Sequence, residues 1–401
     1  MSIAPEETRL PFATRASRLT GSEIDSSTSL LQKQTHDVVR LAMGSPAAEA
    51  IPADQLSELA AELFPGNPDA FDYGPTEGES GLLDQLEPFT GDDRERMLVT
   101  GGGMQGLDLV CKLFVDPGDL VVVEAPTYTN GSATIASYEG DLLEVPVDDD
   151  GMIVDSLIEQ VKRAGRLPKL IYSIPTFQNP SGKSMSLERR IELLRCAEEW
   201  GAVVLEDDPY GHLSFIGDPP PSLVELSGRA PWVIGVHTFS KIVAPGLRVG
   251  WLRADPSIIE RMINAKQCMD TCSNVPAQVL VTEFMVRGMM ESHLERLTPI
   301  YRERKDSMLA ALEEAFGGTG TEWTDPGGGF FTWLTLPDFV DARDLFPTAL
   351  ANGVAYVPGD AFATTTPFGS SLRLCFASNT TERAAEGIRR LKLSIEQKYE
   401  V

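Results

Sequence analysis

The sequence predicts an α/β fold, with a large domain built on a mainly parallel, seven-stranded sheet flanked by helices and a smaller α+β domain beside it. Three observations lead there. Between about residues 95 and 255, seven short apolar runs alternate with segments of helical period. Beyond about residue 294 the order changes to one long helical segment, a few short strand candidates and a final helix. The length of 401 residues with 42% hydrophobic content is enough to bury the cores of a large and a small domain.

In chain order, residues 1–50 show no crossover pattern and are expected to join the small domain. Residues 51–305 then form the large domain and 306–401 the small C-terminal one. The seven runs are Met97–Thr100, Leu120–Glu124, Leu142–Val147, Lys169–Ile174, Ala202–Glu206, Trp232–Val236 and Arg248–Leu252. Between them, Leu187, Ile191, Leu194 and Ala197 repeat at helical spacing, as do Ile258, Ile259, Met262 and Ile263 after them. Strand, helix, strand in succession means crossover connections, hence parallel strands with helices on both faces. A long helix is expected over Leu294–Phe316, through Leu297, Ile300, Tyr301, Leu309 and Leu312. Short strands are expected at Gly329–Thr335, Val354–Val357 and Leu372–Phe376, and a last helix over Glu382–Ile395.

Composition excludes several functions. A formal charge of −25 would repel a phosphate backbone, so nucleic acid is not a partner. Acidic groups such as Asp148-Asp149-Asp150 are spread along the chain. They read as a solvated surface or, with 10 lysines against 24 arginines, as adaptation to high salt. No run of about 18 apolar residues offers a membrane span. The N-terminus lacks the basic and apolar regions of a secretory signal. Five scattered cysteines, without a Cys-x-x-Cys pair, suit a reducing cytoplasm. Cys268 and Cys272 are spaced to share a helical face and read as buried thiols. Four histidines, none beside them, make no metal centre.

Gly101-Gly102-Gly103-Met104-Gln105-Gly106 fits G-x-G-x-x-G after a strand, and Glu124 ends the next strand at the offset of a ribose-binding acid. Taken alone this suggests an NAD-dependent dehydrogenase. The same geometry suits any phosphate at a helix N-terminus, because backbone N–H groups and the helix dipole attract anions there. Four other segments bear on the choice. Thr238-Phe239-Ser240-Lys241 follows a buried strand and leads to Gly246-Leu247-Arg248-Val249-Gly250. A lysine so placed can form an imine with an aldehyde, and the hydroxyls and arginine can hold a nearby phosphate. Asp207, in Glu206-Asp207-Asp208-Pro209-Tyr210, lies at a strand's carboxyl end, where a carboxylate can keep a pyridine nitrogen protonated; the plain alternative is a helix cap. Asn179-Pro180-Ser181-Gly182 is a turn that sets an amide at another strand end. Pro126-Thr127-Tyr128 sets an aromatic ring at the same rim, suited to stacking on a flat heterocycle.

From about Phe12 to Leu393 the chain resembles the fold-type I, pyridoxal 5'-phosphate (PLP)-dependent class I/II aminotransferases, in the branch similar to aminoadipate and kynurenine aminotransferases. The motif Ser-Lys-x-x-x-x-Gly-Leu-Arg-x-Gly, here Ser240 to Gly250, carries most of the resemblance, seconded by Asn179–Gly182 and Asp207–Tyr210. The resemblance implies that Lys241 holds PLP as a Schiff base and shuttles the proton. Asp207 would pair with the pyridine nitrogen, Asn179 and Tyr210 with the phenolic oxygen, and Tyr128 would stack on the ring. Gly103, Met104, Thr238, Ser240 and Arg248 would surround the phosphate, with Tyr73 reaching the phosphate of a partner subunit in a homodimer. Arg373, helped by Asn179 and the backbone near Gly44, would bind the substrate α-carboxylate. Gly103-Met104 stands where many relatives have Ser-Gln, and Thr238 where serine is usual, so backbone N–H groups must do more of the phosphate binding here.

The expected reaction moves an amino group from an L-amino acid to a 2-oxo acid, 2-oxoglutarate or pyruvate. Elimination, replacement or oxidation would draw on the same residues. A PLP-dependent transcription regulator would need a basic helix-turn-helix before Phe12, and none is seen. In some relatives an arginine after a Ser-x-Ile step helps hold the substrate's distal end. Here Ser22-Glu23-Ile24-Asp25 puts an acid at that place, which in the pocket would favour neutral or basic donors. The plain alternative is that Asp25 faces solvent or caps a helix.

Overall fold

The computed structural model describes residues 10–19, 21 and 34–400. Ser22–Asp25, the segment on which the substrate expectation rests, lies outside the described residues.

After a two-residue strand β1 (Val39–Arg40), the seven expected strands of the large sheet all form, their ends within two residues of the apolar runs. They are β2 (Met97–Thr100), β3 (Leu120–Ala125), β4 (Asp141–Asp148), β6 (Leu170–Ser173), β7 (Val203–Asp208), β8 (Val233–Thr238) and β9 (Gly250–Arg253). An eighth, β5 (Gly151–Met152), turns back antiparallel on β4. Two residues are too few to show a period, so the expectation of seven strands missed it. The order is β2-β9-β8-β7-β6-β3-β4-β5. The run from β8 to β4 is parallel, and β9 alone is antiparallel to both its neighbours.

The pleat divides each strand between two cores. Val121 and Val123 pack with Leu205, Ile234 and Val236 on one face, under Leu107 and Val110 of helix Gly103–Phe114 and Ile259 and Met262 of helix Pro256–Gln267. Val122, Ile171, Val204 and Val233 point the other way, under Leu157 and Val161 of helix Val154–Ala164 and Leu193 of helix Leu187–Trp200. Each such fully buried side chain contributes about 1.5–3 kcal/mol. This explains the near-continuous apolar runs, since a sheet covered on both faces leaves no polar side to its strands.

The C-terminal part has a mainly antiparallel frame: β10 (Glu322–Trp323), β11 (Phe331–Thr335), β12 (Val354–Ala355), β13 (Val357–Pro358) and β14 (Ser371–Cys375). Four of these form a sheet in the order β10-β11-β14-β13, while β12 pairs in parallel with β1, Val39 opposite Val354. Helices Met289–Phe316 and Thr381–Tyr399 join one core through Leu297, Tyr301, Met308 and Leu312 and through Ile388, Leu391 and Ile395. The first begins earlier than its apolar period suggests, because left-handed Gly288 separates it from the preceding helix and Met290 is already buried.

The cysteine expectation needs correcting. Helix Pro256–Gln267 ends before both Cys268 and Cys272, in a turn where Thr271 has φ +64°, so they share no helical face. Cys268 is exposed and Cys272 half-buried, whereas Cys111, Cys196 and Cys375 are buried.

The antiparallel intruder β9 explains a glycine of the lysine motif. A Cβ on Gly250 would stand 2.6 Å from the His237 carbonyl oxygen and 3.0 Å from Gly102 Cα, both backbone atoms. Gly250→Ala should therefore cost about 1–3 kcal/mol, as overpacking does. A denaturant melt in which the midpoint does not fall would contradict it.

Candidate active site

The parallel strands all end at one edge of the sheet, and there the loops after β3, β6, β7 and β8 converge. They surround a cavity of about 390 Å³ together with the start of helix Gly103–Phe114, the segment Met43–Ser45, and Arg373 from β14. Gly44, Gly103, Met104, Tyr128, Asn179, Asp207, Tyr210, Thr238, Ser240, Lys241, Arg248 and Arg373 all line it. Of the expected residues that are described, Tyr73 alone lies outside, 83% exposed on the surface.

Lys241 follows β8 and leans across the cavity, its Nζ donating to the Gly44 carbonyl at 2.7 Å. Burial disfavours its charged form and brings its pKa down to about 8. Asp207 is the last but one residue of β7, buried, with Oδ2 accepting from the Tyr172 hydroxyl at 2.8 Å. Burial pushes its carboxyl up to about 7, against the pull of that hydrogen bond and of Lys241.

Also lining the cavity, Thr238 Oγ1 and Ser240 Oγ lie 2.8 Å apart and Arg248 Nη1 is 3.5 Å from Ser240 Oγ. Arg248 Nη2 donates to the Gly101 carbonyl at 2.9 Å. Gly102, φ +92°, lets this arginine in: a Cβ there would sit 2.6 Å from Nη2. No side chain caps the helix that begins at Gly103, so two hydroxyls, a guanidinium and a helix N-terminus face one small space.

Arg373 is 1% exposed and stacks over Phe331 at 4.1 Å. It donates to Asn179 Oδ1 at 2.9 Å and the Ala42 carbonyl at 2.7 Å, while its Nε has no partner among the described residues. The ionisable groups facing it are the Cys375 thiol and the Tyr210 and Tyr128 phenols, none of them a carboxylate. A buried guanidinium in that state calls for an anion.

Glu124 is not a ribose acid. Its carboxylate is buried, held by Ser173 Oγ and Gln178 Nε2, each at 2.6 Å. Gln178 also donates to the Pro126 carbonyl at 2.9 Å, so this bracket ties the Tyr128 loop to the Asn179 turn. The glycine loop leaves β2 at the sheet's edge, separated from β3 by four strands, whereas a dinucleotide unit needs those two strands adjacent and parallel. The dehydrogenase reading fails on topology.

Several lining residues escaped the sequence reading: Met43, Ser45, Leu107, Asn130, Ile174 and Phe331. Tyr172 escaped it too, taken for strand core. Met43 and Ser45 flank Gly44, and Asn130 stands two residues after Tyr128; such nearness was the available signal, and the others depend on how distant segments meet.

An anchoring amine, a buried carboxylate and an anion cup in one cavity are the groups that an aldehyde cofactor with a basic ring nitrogen and a phosphate requires, so fold and site together define a PLP enzyme of fold type I. Comparison with known proteins agrees. The family model for aminotransferases of class I and II matches residues 36–391, and the chain belongs to that PLP-dependent family, whose members pass an amino group between amino acids and 2-oxo acids. It is 38% identical over 401 residues to aromatic-amino-acid aminotransferase 1 of Thermococcus litoralis, covering 96% of this chain and 94% of the other. It is 37% identical over 383 residues to a 2-aminoadipate transaminase of Thermus thermophilus, covering 95% of each. The solved structure of Pyrococcus horikoshii kynurenine aminotransferase, in complex with PMP and kynurenine, superposes with TM-score 0.90 at 38% identity over 98% of both chains.

Proposed function

We propose that this aminotransferase uses neutral L-amino acids as donors, with Lys241, Asp207 and Arg373 as its working groups. The observation that carries the reading is the buried Arg373, with an unpartnered Nε, set in the same cavity as Lys241 and Asp207. PLP, when bound, supplies an aldehyde for the amino group and a ring that draws electrons from the substrate's Cα. Arg373 binds the α-carboxylate, its charge matched to the one group every amino and 2-oxo acid shares. Lys241 Nζ would hold and move the proton taken from the substrate's Cα, a task suited to an amine whose pKa burial has lowered. When PLP is bound, Asp207 would hold positive charge at the ring nitrogen, Asn179 and Tyr210 would serve the phenolic oxygen, and Tyr128 would cover the ring face. The N-terminus at Gly103 and Met104 takes the phosphate with Thr238, Ser240 and Arg248.

The donor preference rests on the remaining lining. Apart from these committed charges the cavity offers Met43, Ser45, Leu107, Asn130, Ile174 and Phe331, none of them charged. A distal carboxylate would find no cation among the described residues that is not already engaged. The relatives named for aromatic amino acids and for aminoadipate bracket this choice.

The division into residues 1–50, 51–305 and 306–401 belongs to the same reading, supported by the pairing of Val39 with Val354. So does a homodimer: Tyr73, exposed near the less exposed Phe71, is the phosphate partner a second subunit would receive. A cytoplasmic setting fits five cysteines without a disulfide and the lack, among the described residues, of any helix long and apolar enough to cross a membrane.

Lys241→Ala should abolish turnover and the visible band of bound PLP. In the unsubstituted protein, acid charges the amine. PLP capture by the apoenzyme, followed by absorbance, should therefore slow as pH falls below about 8 and level off above it. A variant that turns over normally, or capture that slows as pH rises through 8, would refute the role. A panel of L-amino acids should show higher kcat/KM for neutral donors than for aminoadipate or aspartate, and the reverse order would refute the preference. Light scattering should give twice the chain mass; a fully active monomer would dispose of Tyr73's role.

A further inference from the structure

Tyr172 stands one strand away from Asp207, on β6, and the chemistry above does not use it. It is fully buried, and its hydroxyl donates to Asp207 Oδ2 at 2.8 Å. Room for that hydroxyl depends on residue 131 being glycine. A Cβ on Gly131 would lie 2.5 Å from Tyr172 Oη, 2.7 Å from Cζ and 2.8 Å from Cε1. Gly131 is not among the glycines with positive φ, so the clearance and not the backbone conformation calls for it. It sits in the first turn of helix Thr129–Ser137, whose N-cap residue is Tyr128. One helical turn thus supplies both the ring that lines the cavity and the gap that admits the phenol.

We propose that Tyr172 is a positioning residue: its hydroxyl holds one oxygen of Asp207 so that the other faces the ring nitrogen of the cofactor, with Gly131 providing the space. This rests on the reading of Asp207 given above. A carboxylate's terminal torsion is broad and only roughly two-fold, so an unheld Asp207 would sample orientations that aim neither oxygen at the ring. A hydrogen bond to a charged acceptor is roughly twice as strong as a neutral one, enough to select an orientation. Burial and the nearby charges of Asp207 and Glu124 hold the phenol's pKa well above its usual value, so it remains a donor at working pH.

The same bond opposes the burial that raises Asp207, keeping the acid ionised further into the acidic range. Asp208 on its own strand and Glu124 on β3 push Asp207 upward as well, and Lys241 pulls it down. Tyr128 and Glu124 also face Tyr172. Deleting the phenol oxygen therefore has a signed consequence: Asp207 should take up its proton at higher pH.

Tyr172→Phe keeps the ring and removes the hydroxyl. In the holoenzyme, kcat should fall by about ten- to a hundredfold, the loss expected of one hydrogen bond to a charged group, with KM for the amino donor little changed. In the apoenzyme, PLP affinity read by tryptophan fluorescence should fall, and its decline on acidification should begin at higher pH than in the parent. A PLP analogue with carbon in place of the ring nitrogen should bind parent and variant alike. Gly131→Ala should reproduce these effects, and in an Asp207→Asn background Tyr172→Phe should add little to either readout. Full additivity in that background would overturn the proposal, because Tyr172 would then not act through Asp207. Unchanged kcat and affinity in Tyr172→Phe, beside an impaired Asp207→Asn, would overturn it while leaving the reading of Asp207 intact. An unimpaired Asp207→Asn would instead remove that reading and this inference with it. A Tyr172→Phe chain that no longer folds would make the tyrosine structural and likewise defeat the proposal.

Discussion

The burial of an acid and a base at the carboxyl edge of one parallel sheet is the constraint on which the rest of this structure depends. Neither charge is at ease there: Asp207 is pushed up to about 7 and Lys241 down to about 8, both chiefly by loss of water. A fold optimised only for stability would fill the edge with apolar groups, since buried charges rarely repay their desolvation. In the proposed chemistry the two differ in use: Lys241, titrating near neutrality, would move its proton at little cost, while Asp207 would stay ionised opposite a positive charge.

Keeping such groups in place requires a rigid and fully bonded surround. Glu124 with Ser173 and Gln178 braces the two loops on one side. On the other, Glu206 accepts from the backbone N–H groups of Leu223 and Val224, each at 3.0 Å. Arg190, wholly buried on helix Leu187–Trp200, donates to the carbonyls of Met185 and Pro175, which lead into and out of the Asn179 turn. None of these side chains touches the cavity. They satisfy one another and so hold the strand ends in place.

Much of this was legible in the sequence, for physical reasons that also mark where legibility ends. Strands covered on both faces have to be apolar throughout, so Val121–Val123 and Ile234–Val236 stood out. Lys241, Asp207 and Asn179 could be read because each sits at the end of such a run, within a few residues of a turn signal. Tyr172 was not legible: its apolar ring suits the strand core, and only the register of β6 beside β7 reveals that its hydroxyl meets a carboxylate. The Cys268–Cys272 spacing misled because four-residue periodicity has meaning only while a helix continues, and this one stops at Gln267. Phe331 under Arg373 depends on long-range packing that no local pattern encodes. Glu124 shows the opposite error, a local pattern that fitted a dinucleotide motif until the order of strands removed its meaning.

The pairing of Val39 with Val354 bears on how the molecule comes into being on the ribosome. The segment that carries Gly44, whose carbonyl receives Lys241, is among the first parts synthesised, while β12 and β14 are among the last. At ordinary elongation rates the early strand spends about 15 to 60 s without its partner. During that interval the great parallel sheet can assemble, but its cavity lacks a wall and Arg373. Competence therefore arrives late and all at once, a form of timing written into connectivity, and a chain truncated before residue 373 would hold a nearly complete scaffold without the arginine proposed to grip a carboxylate.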